Sequence, residues 1–326
     1  MLRVLVTGAN GFVGSHIVEM MLSKKYQVTC IVRKNSDLSW ISHLPVFFKY
    51  GDLSDIKFLE ICVKDIDVIV HCAGSVRAFN REDYFKINVE YTKNLCNAVL
   101  KINPSLQKFI FISSQAAMGP SSSENPKKLD EEETPVSDYG LSKIVAEEEI
   151  RELFSGRVSY TILRPASVYG PRDKDIFIFF NLVNKHLRPF TVEKRILQLV
   201  YVKDIAQAVA ACIDNKNSDN KTYYLAEETP YTWSEVGQAI SKAVGRTAMP
   251  IPVPDFVFKF AGMAAQSFSY ITKKPAVLNK QKIKEMLQEY WIADNLPARA
   301  DLGIEFTKLE IASKITYNWY LNNKFF

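Results

Sequence analysis

The amino-acid sequence predicts an α/β fold, in which a doubly wound parallel sheet is followed by a smaller, mostly helical C-terminal lobe. Short β-rich runs alternate with helical patterns through the first half of the chain, which is typical of a parallel sheet covered by helices on both faces. After Pro165 this alternation stops and helical patterns dominate. With 326 residues, 47% of them hydrophobic and 24% charged, the chain is long enough for one large domain and an attached lobe.

Six predicted strands, with helices between them, define the sheet. The strands lie near Arg3–Val6, Gln27–Val32, Val46–Tyr50, Val68–His71, Lys108–Ile112 and Ser159–Leu163. The helices lie near Val13–Leu22, Ile56–Val63, Tyr84–Leu100 and Tyr139–Phe154. This order predicts a Rossmann dinucleotide-binding domain over residues 1–170.

The second lobe is predicted over residues 171–326 and is expected to bind the substrate. Its helices lie near Asp175–Lys185, Lys203–Ile213, Trp233–Val244, Phe256–Ile271, Asn279–Leu287 and Leu309–Leu321. Two short strands are predicted near Leu197–Val202 and Thr222–Leu225. Segments near residues 197–226, among them Val202–Asp204 and Tyr223–Leu225, are expected to return to the first domain.

Charge, cysteine content and hydropathy exclude several classes of protein. A net charge of +5, without a Lys/Arg run interleaved with aromatic residues, argues against nucleic-acid binding. The five cysteines are an odd number without Cys-x-x-Cys spacing, which argues against disulfides or a zinc site and favours a reducing cytoplasm. Because the first strand begins almost at once and no apolar run reaches ~18 residues, we expect neither a signal segment nor a membrane span.

Three glycines follow the first strand and open the first helix, the position that a dinucleotide-binding loop requires. Lacking side chains, they allow a tight turn and a close approach of the backbone amides to a pyrophosphate. The alternative is a turn that only packs the helix against the strand. The loop predicts cofactor contacts from Gly8, Asn10, Gly11, Phe12, Val13 and Gly14.

The end of the second strand bears on the choice of cofactor. A carboxylate there accepts both ribose hydroxyls of NAD(H), but this chain has Arg33 and Lys34, which suit a 2′-phosphate. The sequence therefore favours NADP(H), with NAD(H) possible if Arg33 stacks on adenine and Lys34 is solvated. After the third strand, Asp52 is placed to meet the adenine amino group and Leu53 to pack on the ring, unless Asp52 caps the next helix.

Small residues end the fourth strand. Cys72, Ala73 and Gly74 allow the backbone to lie near the cofactor ribose. His71 has no second histidine or carboxylate at metal spacing, so we interpret it as a packed strand-end histidine. No metal site is predicted.

A tyrosine and a lysine one helical turn apart carry the predicted chemistry. A phenol titrates near ~10 in water, so its phenolate must be stabilised before it can move a proton at neutral pH. Lys143 shares a helix face with Tyr139, and its ammonium is expected to lower the pKa of the phenol. Ser114 ends the fifth strand, where a hydroxyl can bind the substrate oxygen, although serines there also make local turns. Together these residues predict hydride transfer with a tyrosine acid/base.

A polar segment, Gly119–Val136, lies directly before Tyr139. Its prolines, serines and acidic run indicate a surface loop without secondary structure. A loop of this length beside a catalytic residue is either a lid or a solvated excursion.

These motifs resemble those of the extended short-chain dehydrogenase/reductases, the superfamily of NAD(P)-dependent epimerases and dehydratases, over nearly the whole chain. The resemblance implies that the catalytic set is Ser114, Tyr139 and Lys143. Ser114 is preferred to its neighbour Ser113 because the family's serine stands five residues before the glycine matched by Gly119. The segment after the sixth strand resembles the one that seats the nicotinamide amide, which implies contacts from Pro165, Ala166 and Ser167.

Two positions depart from the nucleotide-sugar enzymes of this superfamily. Gln198 stands where those enzymes usually carry an arginine that binds the diphosphate, and Met118 replaces a tyrosine before Gly119. Val32-Arg33 and the tail pattern from Trp291 to Gly303 resemble instead the branch of dihydroflavonol reductases and 3β-hydroxysteroid dehydrogenases.

One predicted helix of the second lobe carries more apolar surface than a single buried stripe needs. Its large apolar side chains are Phe256, Phe258, Phe260, Met263, Phe268, Tyr270 and Ile271. Packing in the core, an apolar substrate entrance and peripheral contact with a membrane would each use such a surface.

The leading functional interpretation is an NAD(P)-dependent enzyme that interconverts a ketone and a secondary alcohol on a fairly apolar or flat ring substrate. The alternative is a nucleotide-sugar epimerase or dehydratase, which keeps its cofactor through an oxidation and reduction cycle. A nonenzymatic dinucleotide sensor on the same fold is a third class. A homodimer is expected through the helices Tyr84–Leu100 and Tyr139–Phe154, as in many relatives.

Overall fold

The structure is a computed structural model that describes residues 1–272, 276 and 279–326, without the side chains of residues 268, 270 and 271. The strands are β1 (Arg3–Thr7), β2 (Gln27–Val32), β3 (Phe47–Tyr50), β4 (Val68–His71), β5 (Lys108–Ile112), β6 (Tyr160–Pro165), β7 (Ser167–Tyr169), β8 (Leu187–Thr191), β9 (Ile196–Leu197), β10 (Leu199–Tyr201), β11 (Lys221–Leu225), β12 (Tyr231–Thr232), β13 (Met249–Val253) and β14 (Tyr290–Trp291). The helices are α1 (Phe12–Ser23), α2 (Ile56–Val63), α3 (Arg81–Phe85), α4 (Tyr91–Ile102), α5 (Asp138–Phe154), α6 (Phe177–Asn184), α7 (Val202–Asp214), α8 (Trp233–Val244), α9 (Asp255–Thr272), α10 (Lys280–Met286), α11 (Leu296–Leu302) and α12 (Leu309–Asn322).

Seven strands form one parallel sheet in the order β11-β6-β5-β4-β1-β2-β3. Every residue of the central strands β4 and β5 is buried, as expected for strands that helices cover on both faces. The strand order reverses between β1 and β4, and the crevice beyond the carboxyl ends of these two strands is the position where doubly wound folds bind ligands. The predicted Rossmann fold is confirmed.

Two apolar clusters cover the two faces of this sheet. One contains Ile17 of α1 and Val209 of α7, and the other contains Leu59 of α2, Leu95 of α4 and Phe154 of α5. The edge strand β11 pairs with β6, so a segment distant in sequence completes the sheet. Val202–Asp204 does not form a strand of the sheet; it begins α7, which packs on the same face as α1.

The remaining elements form a second region with small sheets of its own. β10 pairs with β7, β9 lies between β12 and β14, and β8 pairs with β13. The helices α6, α8 and α12 pack around Phe180, Ile240 and Tyr320, which are buried. No helix of the described ranges has the length and apolar character needed to cross a membrane.

The segment Gly119–Val136 is hydrogen-bonded to residues in the C-terminal part of the chain. The Lys127 backbone amide donates to the Ile292 carbonyl at 2.9 Å. The buried Lys127 ammonium donates to the Met118 carbonyl at 2.9 Å and to the Thr134 hydroxyl at 2.8 Å. The interpretation of this segment as a solvated excursion is therefore wrong around Lys127. The hydrogen bonds of this buried lysine hold the loop in place.

The apolar helix of the second region does not bury its large side chains as a core helix would. Phe256, Phe260 and Met263 of α9 are exposed, and Phe258 is half-buried. Packing in the core is therefore the wrong interpretation for the first three. The side chains of Phe268, Tyr270 and Ile271 lie outside the described residues.

Candidate active site

The glycine loop lies at the point where the strand order reverses, and two of its glycines are sterically required. Gly8 has φ +68°, and a Cβ atom there would lie 2.7 Å from the Ala73 backbone nitrogen. A Cβ atom on Gly14 would lie 2.1 Å from the Gly8 carbonyl oxygen. The Gly11 amide donates to the same Gly8 oxygen at 3.0 Å, and Phe12 and Val13 then begin α1. The loop therefore packs directly against the residues that follow β4, and its backbone lines the crevice.

A cavity of about 430 Å³ opens beside the glycine loop at the end of β2. Its lining residues are Asn10, Arg33, Lys34, Asn35, Ser36 and Asp37. The Asn10 side-chain amide donates to the Asp37 carbonyl at 3.3 Å, which holds the cavity rim against the loop. Sequence reasoning missed Asp37, whose carboxylate accepts the Ser39 amide at 2.9 Å and whose pKa these Ser39 bonds lower. The cavity thus contains two cations and one anion.

Asp52 does not cap the helix that follows it. The N-cap of α2 is Asp55, which accepts the Phe58 amide at 3.0 Å. Asp52 instead accepts the amide and hydroxyl of Ser54 at 2.9 and 2.7 Å. Burial opposes ionisation of Asp52, but these bonds and the nearby Arg33 guanidinium lower its pKa overall. The following residue, Leu53, packs half-buried against the core.

His71, at the end of β4, lies in a chain of hydrogen bonds that fixes its tautomer. The Thr92 hydroxyl donates to the Asn88 carbonyl at 2.7 Å, so it accepts from His71 Nε2 at 2.9 Å. His71 Nδ1 is then the acceptor for the Thr7 hydroxyl at 2.7 Å, and the Ala73 amide donates to that hydroxyl at 3.2 Å. Burial lowers the pKa of His71 to about 3, which keeps the imidazole neutral.

The residues after β4 lie between the glycine loop and the predicted catalytic lysine. Cys72 and Ala73 are half-buried and Gly74 is exposed. A Cβ atom on Gly74 would lie 3.8 Å from Lys143 Nζ and 3.1 Å from Asn88 Oδ1. The backbone of this turn is therefore close to both side chains.

The predicted catalytic residues come together at the carboxyl edge of β5. Ser114 follows the strand, and its hydroxyl, which accepts the Ala116 amide at 3.1 Å, acts to lower the pKa of the Tyr139 phenol. Tyr139 lies in the first turn of α5, which the Ser137 hydroxyl caps by accepting the Gly140 amide at 3.0 Å. Lys143 follows one turn later and is buried.

The ammonium of Lys143 is directed to the end of β5. It donates to the Ile112 carbonyl at 2.8 Å and lies 4.0 Å from the centroid of the Phe111 ring. Burial raises the pKa of Tyr139, an effect that the nearby Ser114 hydroxyl only partly offsets. The prediction that the pKa of this phenol is lowered overall is therefore wrong in this arrangement, because burial outweighs the stabilising groups. Burial also lowers the pKa of Lys143, to about 8.

Of the adjacent residues Ser113 and Ser114, Ser113 is hydrogen-bonded to a carboxylate away from Tyr139. Its hydroxyl donates to Glu147 Oε1 at 2.5 Å, and Glu147 Oε2 accepts from Arg164 Nη2 at 2.7 Å. All three side chains are buried. The contact explains why Ser114 is the serine that faces Tyr139. Sequence reasoning missed this network, although Glu147 and Tyr139 are eight residues apart and share a helix face.

Asn88 is a second residue that sequence reasoning missed. The predicted helix Tyr84–Leu100 is broken there by a π-helical turn, Lys86–Glu90. Asn88 accepts the Ser75 amide at 2.7 Å and donates to the Ser142 hydroxyl at 2.9 Å. That hydroxyl donates to the Tyr139 carbonyl at 2.7 Å. Asn88 thus links the turn after β4 to the helix that carries Tyr139, and an asparagine on a buried helix face was its only sequence signal.

The segment after β6 runs along the same crevice edge. Pro165 is the last residue of β6, and the buried Ala166 donates its amide to the Leu225 carbonyl at 2.9 Å. Ser167 is exposed. Further along, the amide group of the buried Gln198 donates to the Glu227 carbonyl at 2.9 Å and accepts the Ala293 amide at 2.7 Å.

Within the part of the chain that the structure describes, no three His, Cys, Asp or Glu side chains gather as a metal site would require. The polar groups of the crevice are instead hydroxyls, an ammonium and backbone amides. A glycine loop at a strand-order reversal, with these groups beside it, is the arrangement of dinucleotide-dependent α/β proteins.

Within this class, residues 4–226 match the sequence model of the NAD dependent epimerase/dehydratase family. The chain belongs to this family, and the resemblance to extended short-chain dehydrogenase/reductases is confirmed.

Relatives in this family carry different activities. The chain is 24% identical to the ceramide reductase of Caulobacter vibrioides over 97% of this chain and 94% of that protein. It is 29% identical to the UDP-glucose 4-epimerase of Vibrio cholerae over 79% of this chain and 81% of that protein. The crystal structure of the UDP-glucose 4-epimerase of Thermus thermophilus in complex with NAD has a TM-score of 0.79 and 21% identity, covering 98% of this chain and 99% of that chain. The last comparison shows the shared fold.

Proposed function

We propose that this protein is an NAD(P)-dependent oxidoreductase that interconverts a ketone and a secondary alcohol. The observation that carries the proposal is the convergence of Ser114, Tyr139 and Lys143 beside the glycine-lined crevice, where the Ser114 hydroxyl acts to lower the pKa of the phenol. The residues of the crevice fit a dinucleotide, because the glycine loop opens α1 at the strand-order reversal, beside the cavity lined by Arg33 and Lys34. A bound nicotinamide would supply or accept the hydride.

In the proposed reduction, Tyr139 donates its phenolic proton to the substrate oxygen while the Ser114 hydroxyl hydrogen-bonds the same oxygen. Since the pKa of Tyr139 is raised, its proton is in place at neutral pH. Lys143 places a positive charge one helical turn away, which stabilises the phenolate that remains after transfer. Asn88 and Ser142 hold the first turn of α5 and so orient the phenol.

Replacement of the phenolic hydroxyl tests this role directly. Tyr139→Phe should lower turnover by at least ~100-fold and leave the Kd of the cofactor nearly unchanged, because the hydroxyl acts in proton transfer. Tyr26→Phe is the matched control, since the Tyr26 hydroxyl bonds Asp214 at 3.2 Å on the outer surface. A screen of ketosteroids, flavonoid-like ketones, aldehydes and UDP- or dTDP-sugars, followed by nicotinamide absorbance, supplies the substrate. Undiminished turnover in Tyr139→Phe would contradict the proposal.

A nucleotide-sugar epimerase or dehydratase is the second candidate, favoured by the similarity to the Vibrio cholerae enzyme. Gln198 weighs against it. Both ends of its amide are bonded to backbone, so it is not free to bind a diphosphate as the usual arginine would. Formation of an epimerised UDP-sugar without net change in nicotinamide absorbance, with cofactor that copurifies, would establish this second function instead.

NADP(H) is the proposed cofactor, with NAD(H) as the alternative. The support is the pair Arg33 and Lys34 in the cavity beside the glycine loop. Asp37, on the same rim, weakens this cationic character. The Kd values of the two cofactors decide the matter: Arg33→Ala with Lys34→Ala should weaken NADP(H) by at least ~10-fold and NAD(H) much less. Tighter binding of NAD(H) to the unchanged protein would refute the preference.

A homodimer in the cytoplasm is the proposed state of the protein. The pairing surface would be the outer faces of α4 and α5, and the five free thiols support a reducing compartment. A sedimentation-velocity experiment that shows only monomer would dismiss the dimer.

A further inference from the structure

The helix α9 presents large apolar side chains to solvent. Phe256 is 70% exposed, Phe260 69%, Met263 51% and Val257 39%. The spacing of three and four residues places Phe256, Phe260 and Met263 on one face of the helix. More than half of each of these side chains stays in water, so their apolar surface stabilises the fold much less than it would in the core.

A further exposed apolar residue lies on the segment that is bonded to the chain just before α9. Val192 is 55% exposed and its amide donates at 3.4 Å to the carbonyl of Val253, two residues before α9 begins. The start of α9 is held in place by Asp255, which accepts two bonds of 2.7 Å from the buried Arg195 guanidinium. Several large apolar side chains exposed on one helix face are typical of an interaction surface.

Cations border this patch. Lys259 is exposed on α9 itself, and α10, whose Ile283 packs against Gly262 of α9, carries exposed lysines. These lysines are Lys280, Lys282 and Lys284. The acidic residues of the two helices are engaged: Asp255 pairs with Arg195, and the buried Glu285 accepts the Ser137 hydroxyl at 2.6 Å and pairs with Lys282 at 3.2 Å, which reduces the contribution of that lysine. Aromatic and methionine side chains flanked by lysines fit the interface of an anionic phospholipid bilayer.

We propose that Phe256, Val257, Phe260 and Met263, with Lys259, form a docking face for an anionic membrane surface. The face lies in the headgroup region without crossing the bilayer. The same helix pair reaches the candidate active site. Besides the bond from Ser137 to Glu285, the Gln281 side chain accepts the Asp138 amide at 3.1 Å at the start of α5. A docked protein therefore holds the wall of its crevice next to the bilayer.

From this position the substrate class also follows, a step that rests on the proposed function. An apolar ketone or alcohol dissolved in the bilayer would reach the crevice along α9 and α10 without passing through water. The substrate is thus a membrane-resident lipid or ring compound with one reactive carbonyl or hydroxyl.

Membrane docking is tested by cosedimentation of the full chain with vesicles of phosphatidylcholine alone and of an equimolar phosphatidylcholine–phosphatidylserine mixture. The chain should pellet with the mixed vesicles, and Phe256→Ser with Phe260→Ser should reduce the vesicle-binding constant by at least ~10-fold. Lys259→Glu should reduce binding to the mixed vesicles only, by roughly 3-fold. Because all of these side chains are exposed, thermal unfolding should be unchanged.

Matched controls come from the far edge of the sheet. Phe47→Ser with Ile61→Ser removes two exposed apolar side chains, and Lys57→Glu reverses one exposed lysine. The controls should bind vesicles like the unchanged chain. The proposal is overturned if the chain stays in the supernatant, if controls and variants lose binding alike, or if Phe256→Ser with Phe260→Ser abolishes self-association instead, which would make a second copy of the chain the occupant.

The substrate step has its own readout. Turnover of a vesicle-embedded ketone should fall in Phe256→Ser with Phe260→Ser, while turnover of a water-soluble ketone should not change. Equal turnover of the embedded substrate would refute delivery along α9 and α10 and leave docking standing. Absence of turnover on any ketone would refute the proposed function, and the cosedimentation result would be unaffected.

Discussion

The parallel sheet and the helix pair α9–α10 use their apolar residues in opposite ways. In β4 and β5 every side chain is buried, so the apolar residues stabilise the fold. In α9, Phe256, Phe260 and Met263 lie at the surface. The difference teaches that an apolar run in this chain indicates a core only where neighbouring elements cover both of its faces.

The charges of the two regions differ in the same way. The Arg164–Glu147 pair joins β6 to α5, with both side chains buried. The Arg195–Asp255 pair of the second region keeps its carboxylate partly in water. Water can therefore compensate for a lost partner in the second region but not in the first.

The largest expected effect compares two glycines that face different neighbours. Gly14→Ala places a Cβ atom 2.1 Å from a backbone oxygen of the glycine loop, which cannot move without breaking the turn. Gly262→Ala places one 1.8 Å from Ile283 Cδ1, the end of a flexible side chain. Gly14→Ala should lower the free energy of unfolding by more than ~5 kcal/mol or prevent folding, and Gly262→Ala by less than ~2 kcal/mol. Urea unfolding measures both.

Similar losses in the two alanine variants would show that the glycine loop is as adaptable as the helix pair. The contrast between a rigid sheet edge and a tolerant second region would then fail. If the Gly14→Ala protein folds but no longer binds the cofactor, the contrast between the two regions still holds. The damage is then confined to the glycine loop.

The next effect compares the two ion pairs. Arg164→Met leaves the buried Glu147 carboxylate with Arg151, at 2.8 Å, as its remaining cation and should cost about 3 kcal/mol of unfolding free energy. Arg195→Met leaves Asp255 with partial access to water and should cost roughly 1–2 kcal/mol. Chemical denaturation of both variants at neutral pH gives the comparison, and a larger loss in Arg195→Met would contradict it.

The smallest effect concerns pH, where one buried group of each region acts with opposite sign. Burial lowers the pKa of His71 to about 3, so the unfolded chain binds a proton that the folded chain refuses, and stability falls as pH falls below ~6.5. Burial raises the pKa of Asp173 to about 7, so the folded chain keeps a proton that the unfolded chain releases, and stability falls as pH rises from ~4 to ~7. Between about pH 5 and pH 6.5 the two contributions oppose each other.

Removing the Asp173 carboxyl should therefore reveal the pH dependence that His71 contributes. In Asp173→Asn the gain in unfolding free energy from about pH 5 to pH 6.5 should exceed that of the unchanged chain by on the order of 2 kcal/mol. Asp214→Asn, on the surface beside Tyr26, is the control. An identical pH profile in Asp173→Asn would show that this carboxyl is ionised in the folded protein.

The sheet and its glycine loop were predictable because their signals are local. Six of its strands alternate with helices in the sequence, and Gly8, Gly11 and Gly14 follow the first strand directly. The Tyr139–Lys143 spacing similarly places two side chains on one helix face without knowledge of the rest of the fold. Their assigned roles remain predictions until turnover is measured.

What could not be predicted depends on contacts between distant residues. The partners of Glu147, the π-helical turn at Asn88 and the attachment of Lys127 to Ile292 each join segments whose proximity is known only from the fold. The raised pKa of Tyr139 has the same origin, because it depends on how deeply the phenol is buried. The outward direction of Phe256 and Phe260 depends on which face of α9 meets α10, a choice that the sequence of α9, with apolar residues on more than one face, leaves undecided.

The hydroxyl of Ser137 performs two tasks at once. Its oxygen accepts the Gly140 amide, and its proton goes to Glu285 of α10. A displacement of α10 by more than the length of one hydrogen bond would remove the acceptor of that proton but leave the cap. The helix α5 would then keep its capped first turn but lose its hydrogen bond to α10. The crevice beside the two helices would widen while Tyr139 stayed in position.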